Sequence, residues 1–149
     1  GPLKNTGPLP PKVNQETTYT IIWAITNSSN DVSSTIVRAT LPTYVKWLGV
    51  MSPDSENVTH NEIGGEVVWN AGTISAGTGI NRAAKEVAFQ VSFLPSLSQL
   101  NQSPLLTSEI SISGNDNFTH STLRDSKRPL SIKLSTDSVF LENQGTVVQ

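Results

Sequence analysis

Cysteine is missing from this 149-residue chain. With it go disulfides, thiolate chemistry and Cys-based zinc sites. Charge is scarce, at 15% of residues, and no sign dominates: the net charge is −2 and the pI about 5.6. Nothing here is basic enough to hold a phosphate backbone, so nucleic acid is excluded as a partner. No apolar run approaches the roughly 18 residues of a membrane helix, and no secretory leader is recognisable. Gly1-Pro2 reads as a protease-cleavage scar left by expression. The expectation is a piece of a longer protein whose targeting and anchoring segments lie elsewhere. Sustained helical periodicity is also absent; residues 81–86 offer barely one turn.

What the chain has instead is hydroxyl and amide. Ser, Thr and Asn make up roughly a third of it, far above ordinary usage. Thr suits exposed strand faces, and Ser and Asn suit turns. A chain of this length is one domain and buries about 70% of its unfolded surface, so it can build a core without staples.

Two stretches alternate cleanly. In residues 18–27, Tyr19, Ile21, Trp23 and Ile25 share one face. In residues 86–93, Val87, Phe89, Val91 and Phe93 do the same. Period two with aromatic and β-branched residues predicts strands. Further strands are predicted over 34–41, with Thr35, Val37, Ala39 and Leu41 in phase, and over 45–51, with Val45 and Trp47 in phase. Residues 66–69 make another, closed by Asn70-Ala71-Gly72; 106–113 another, followed by a turn at Gly114-Asn115-Asp116-Asn117; and 129–134 the last, with Leu130, Ile132 and Leu134 in phase. Short strands with regular turn signals and no internal repeat predict an all-β sandwich of about seven to eight strands. Its core is expected to hold Tyr19, Ile21, Trp23, Trp69, Val87, Phe89, Val91, Ile110 and Ile132.

The residues that could carry chemistry are few. His60 and His120 fall in separate turn regions, with no second His or Cys at ligand spacing. No Gly-x-Ser-x-Gly elbow exists; Ser75, between Gly72 and Gly77, has the wrong spacing. Asp116, Asp125 and Asp137, with Asn115 and Asn117, are the calcium candidates, but no Asp-x-Asp-x-Asp-Gly loop holds them, and Asn115-Asp116-Asn117 reads better as a self-bonded turn. Trp23, Trp47, Trp69, Tyr19 and Tyr44 could stack sugars, yet the phase of the first three and of Tyr19 assigns them to the core. Asn-x-Ser/Thr sequons occur at Asn27, Asn57, Asn101 and Asn117. An isopeptide bond would need a Lys such as Lys12, a core Asn on a C-terminal strand and a buried acid. Catalytic, cofactor-binding and metal-binding residues are therefore all read as none, with no cofactor.

Several pieces together resemble a tandem Ig-like repeat of bacterial cell-surface proteins. They are Thr18-Tyr19-Thr20-Ile21 with Thr26-Asn27, Leu41-Pro42, the run 68–77 from Val68-Trp69-Asn70 to Ala76-Gly77, and Val87-Ala88-Phe89-Gln90-Val91, with a weaker match at Ser113-Gly114-Asn115-Asp116. The repeat often has Asp two residues before the Leu of Leu-Pro. Here Ala39 stands there, so no role of that Asp carries over. The resemblance implies an Ig-like two-sheet antiparallel sandwich, extracellular and non-catalytic, serving as a stalk or adhesin module. The alternative is a glycan- or protein-binding domain using its end loops. Expected partners are neighbouring repeats, with a glycan or surface protein in the binding alternative; the isolated domain is expected to be monomeric. Residues 1–13 are expected to form the scar and a Pro-rich linker or edge strand, 14–136 the sandwich, and 137–149 a junction segment in which Val139-Phe140-Leu141 and Val147-Val148 are too apolar to be left in water.

With no metal site read from the sequence, the fold is expected to need no divalent ion. A chelator should leave the melting temperature unchanged, because a ligand that binds only the native state raises apparent stability by mass action. A drop of several degrees would implicate Asp116, Asp125 or Asp137.

Overall fold

Tyr19, Ile21, Trp23 and Ile25 all point inward from β1 (Thr17–Ile25) and are each at most 7% exposed. Their partners across the ladder are Val91, Phe89, Val87 and Lys85 of β6 (Lys85–Phe93), in one uninterrupted antiparallel register. The computed structural model describes residues 3–133. Leu134, Asp137 and the apolar pieces Val139-Phe140-Leu141 and Val147-Val148 lie outside the described residues, as do Gly1 and Pro2.

The remaining strands are β2 (Val32–Thr40), β3 (Val45–Ser52), β4 (Asn57–His60), β5 (Glu66–Ile74), β7 (Ile110–Asp116) and β8 (Thr122–Lys127). One sheet has the order β1-β6-β3, the other β4-β5-β2-β7-β8, and every pairing is antiparallel. Among the described residues the structure is therefore an all-β, two-sheet sandwich of eight strands. Among the described residues only Leu97–Gln99 is helical, as one 3-10 turn; residues 81–86 give none.

The core is the interleaved inner faces. Ile21, Val67, Trp69, Val87, Phe89, Val91, Phe93, Leu106 and Ile132 are fully enclosed. Trp23 meets the edge of Phe89 at 5.0 Å, and Trp47 packs on the same ring at 5.3 Å. Phe89 thus sits between a β1 and a β3 aromatic, at the centre of its sheet. Such offset and edge contacts add to what area burial alone supplies.

Several sequence expectations need correction. The strand predicted to close at Asn70-Ala71-Gly72 continues to Ile74, because Gly72 adopts φ +74 at a bulge opposite Thr35. A bulge inserts a residue without ending the ladder. The turn assigned to residues 114–117 begins later, since Gly114–Asp116 still pair with β2 and β8. The strand predicted over 106–113 begins only at Ile110; Leu106 is buried but lies outside it. The span 129–134 is not a sheet strand as far as it is described. Leu130 takes the amides of Leu106 and Thr107, Ile132 donates to Pro104, and Ser131 forms an isolated bridge with Leu105. Two elements carried no usable signal: β4, with Val58 as its one buried residue, and β8, exposed throughout.

Replacing Phe89 with Ala removes the ring on which Trp23 and Trp47 converge. The expected loss is about 3–5 kcal/mol, measured by denaturant unfolding. A loss below about 1 kcal/mol would show that this centre collapses without cost.

Candidate functional site

Three connections meet at one end of the sandwich: residues 26–31 between β1 and β2, 75–84 between β5 and β6, and 117–121 between β7 and β8. They are tied by Asn and Asp side chains. The Asn27 amide donates to Thr78 O at 2.8 Å and its carbonyl accepts from Gly77 at 2.8 Å. Its side-chain Nδ2 donates to Asn30 O at 2.7 Å and to Ile74 O at 3.1 Å. Asp31 Oδ1 accepts the Ala76 amide at 2.8 Å, and Asp31 O accepts that of Asn117 at 2.9 Å. Gly79 passes so close to Thr26 that a Cβ would lie 2.5 Å from its Cγ2, so the approach of these two loops requires glycine.

Asp116 closes the cluster. Its carboxylate accepts the amides of Thr119 (2.9 Å) and Phe118 (2.8 Å) and the Nδ2 of Asn30 (3.1 Å). Donation from the Thr119 backbone, then from Asn30 and Phe118, outweighs desolvation and holds this carboxyl below the ordinary aspartate value. Its oxygens cap a turn. Asp125 lies on β8, where Oδ1 accepts the Ser126 amide, and Asp137 lies outside the described residues. Among the described residues no three His, Asp or Glu side chains gather as a metal would need. Above this tied base, Phe118 is 80% and Ile80 68% exposed.

The histidines are far apart. His120 is in the β7–β8 turn, as expected, with φ +60. His60 is not in a turn: it ends β4, at the opposite edge of the five-stranded sheet. Three strand spacings, about 14 Å, separate β4 from β7, so the two cannot share an ion. His60 stacks on Trp47 at 5.6 Å and 15°. Trp47 therefore packs against both His60 and Phe89 rather than standing open to a sugar. Trp23, Trp69 and Tyr19 are buried, and Tyr44 packs on Phe93 at 5.7 Å while its hydroxyl donates to Leu105 O. The aromatics make no platform.

Ser75 serves the β5–β6 turn through its carbonyl, which accepts from the Thr78 hydroxyl at 2.7 Å. Lys12 is exposed, whereas an isopeptide bond needs its lysine beside a buried acid. Of the sequons, Asn57 and Asn101 are exposed, Asn117 is exposed but accepts from Ser33 Oγ, and Asn27 commits its Nδ2 to two carbonyls.

Sequence reasoning missed one constellation. Trp69 is wholly enclosed, and its Nε1 donates to Glu56 Oε1 at 2.9 Å. Glu56 Oε2 pairs with Lys85 Nζ at 3.0 Å. Burial raises the Glu56 pKa, but the hydrogen bonds from Trp69 and Lys85 and the lysine charge outweigh it and hold the carboxyl below its ordinary value. Glu56 lies in the crossover between β3 and β4, Trp69 in the five-stranded sheet and Lys85 in the three-stranded one. Sixteen residues separate Trp69 from Lys85 and thirteen from Glu56, so no local motif announced the contact.

No protein-family model matches the chain, and no curated protein matches it. Among solved structures it is similar to a variant of BcpA, the major pilin subunit of Bacillus cereus, with 17% identity and a TM-score of 0.51 over 83% of this chain and 36% of that one. A two-domain structure of the major pilin SpaD from Corynebacterium diphtheriae is 10% identical, with a TM-score of 0.46, covering 81% of this chain and 47% of that one. The chain thus spans well under half the length of the first of these. The likeness to BcpA is one of fold.

Both depressed carboxylates, Glu56 and Asp116, have a folded-state pKa below the unfolded one. Their contribution is present above the ordinary carboxylate values, about 4, and is lost as pH falls through the folded values. Urea midpoints measured down a pH series should fall over that range. Glu56→Ala strands a buried indole donor and should cost about 1–3 kcal/mol at neutral pH, with a shallower acid dependence than the parent. An unchanged acid dependence would remove Glu56 from this account.

Proposed function

We propose that this domain is a structural module of a bacterial cell-surface protein, a stalk or adhesin repeat outside the cell, and that it is not an enzyme. The observation that carries the reading is the sandwich fold shared with a major pilin subunit over 83% of the chain. The resemblance to surface repeats between residues 17 and 93 supports it. The role is spacing and display. Loops tied across the sheets at Asn27, Asp31 and Asp116, and the Trp69–Glu56–Lys85 contact between them, suit a body that carries load as one unit.

A second reading is favoured by the loop end itself. Phe118 and Ile80 are apolar side chains held out on a fixed base, and rigid display of apolar anchors is how binding loops limit their ordering cost. On this reading the module binds glycan or protein through the 75–84 and 117–121 loops.

Two measurements separate them. Pulled between flanking handles, the domain should unfold in one cooperative step; several weak steps would defeat the mechanical role. On a glycan array the structural reading gives no signal. A signal that disappears with Phe118→Ala would make the loop end a binding site.

A further inference from the structure

The chain ahead of β1 is held in two different ways. Pro11 is buried, Val13 packs against the core, and the Asn14 amide donates to Pro95 O at 2.9 Å. Residues 4–8 lie instead across the outside of the three-stranded sheet. They run antiparallel to β1: Pro8 O accepts the Thr17 hydroxyl, Thr6 O the Thr18 amide, and Asn5 Oδ1 the Thr20 hydroxyl. They reach the central strand, where Gln90 Nε2 donates to Lys4 O at 2.7 Å and to Asn5 Oδ1 at 3.1 Å. Gln90 faces outward, because Phe89 and Val91 on either side of it enter the core. It is nevertheless only 9% exposed, and the strap lies over it.

Gly7 permits this course. Its φ is +95, and a Cβ there would run into Glu16 O and the Thr17 Cα. The strap buries nothing apolar between residues 4 and 7: Lys4, Asn5, Thr6 and Gly7 are all exposed. Its bonds to Thr18 and Thr20 lie at the surface. Segments with few buried apolar contacts and exposed hydrogen bonds open locally at low cost. Ordering the strap costs backbone entropy at every residue, and each bond exchanged with water returns a small net gain of similar size. When the strap lifts, the Gln90 amide meets water, so release strands no buried donor there.

We propose that residues 4–8 are a latch, a strap that opens and recloses on the folded sandwich while Pro11 and Val13 stay anchored. Closed, it fixes the N-terminal segment to β6 through Gln90 and to β1 through Thr17, Thr18 and Thr20. Open, residues 3–10 span about 26 Å from the anchor when extended. The segment ahead of β1 therefore has two reaches, and no strand leaves its sheet in passing from one to the other. The latch holds whether the module spaces or binds.

Hydrogen exchange on the whole chain tests this. The Thr18 amide reports on the latch because it turns away from β6 to Thr6 O, whereas the next amide, of Tyr19, turns toward β6. In the parent, Thr18 should be protected yet exchange at least about 10-fold faster than Tyr19, at a rate that low urea leaves unchanged. Gly7→Ala should abolish the Thr18 protection and leave Tyr19, Val91 and the urea midpoint as they were. Gln90→Leu, which deletes the donor to Lys4 and Asn5, should speed Thr18 in the same direction. A Thr18 amide as slow as Tyr19 and Val91, or a lower midpoint in Gly7→Ala, would make the strap a part of the sandwich rather than a latch. A Thr18 amide unprotected in the parent, or still protected in Gly7→Ala, would show that the strap does not hold it. Each of these results overturns the proposal.

Discussion

The indole N–H of Trp69 sets the terms for much of this structure. Trp69 lies on β5, next to the edge strand of the five-stranded sheet, fully enclosed, where a donor without an acceptor costs about 1–3 kcal/mol. Water cannot reach it. The acceptor comes from Glu56, and a carboxylate drawn that far inward needs a cation, which Lys85 supplies from the opposite sheet. One indole therefore fixes the β3–β4 crossover and couples both sheets. Exposure of the pair at Lys85 limits what the ion pair itself adds. The larger effect is geometric, since the turn between β3 and β4 has one position that satisfies all three groups.

The same accounting explains the composition. Most connections in this topology pass from one sheet to the other, so their backbone groups leave the ladders and must be bonded elsewhere. Asn27, Asn30, Asp31 and Asp116 do this at one end of the sandwich. At the N-terminal segment, Gln90 donates to Lys4 O, Thr17 to Pro8 O, and Thr18 exchanges bonds with Thr6. Short amide, carboxylate and hydroxyl side chains serve both nearby backbone, as Asn27 does at Asn30 and Asp116 at Phe118 and Thr119, and backbone from other connections, as Asp31 does at Ala76. The abundance of Ser, Thr and Asn is thus spent at crossovers as much as on solvated strand faces.

What was legible in the sequence follows from this division. β1 and β6 were readable because one face of each is buried against the opposite sheet, which forces alternation. β8 was not, because its six exposed residues are held by backbone pairing with β7, and backbone pairing leaves no side-chain pattern. β4 has one buried residue, too few to show a period. Residues 130 and 132 mimicked a strand because both face inward, yet their carbonyls and amides serve the 104–107 loop. Ending a strand at Gly72 was an error of kind: glycine at a bulge and glycine at a turn share a backbone angle. Of the loop end, the Asp116 turn was foreseen from local chemistry, whereas its bond to Asn30 spans 86 positions and was not. His60 was misplaced for the same reason as β4, and with it the stack on Trp47.

Shifted titrations commonly mark sites of chemistry, and here they mark support. The shifted groups among the described residues are Tyr19, Tyr44, Glu56 and Asp116. Burial raises both tyrosines, and in Tyr44 the hydroxyl spends its proton on Leu105 O. Glu56 is saturated by an indole and an ammonium, and Asp116 by two amides and an asparagine. A general base needs a free lone pair aimed at a substrate proton. These carboxylates aim theirs at the protein itself, at the crossover and at the loop end.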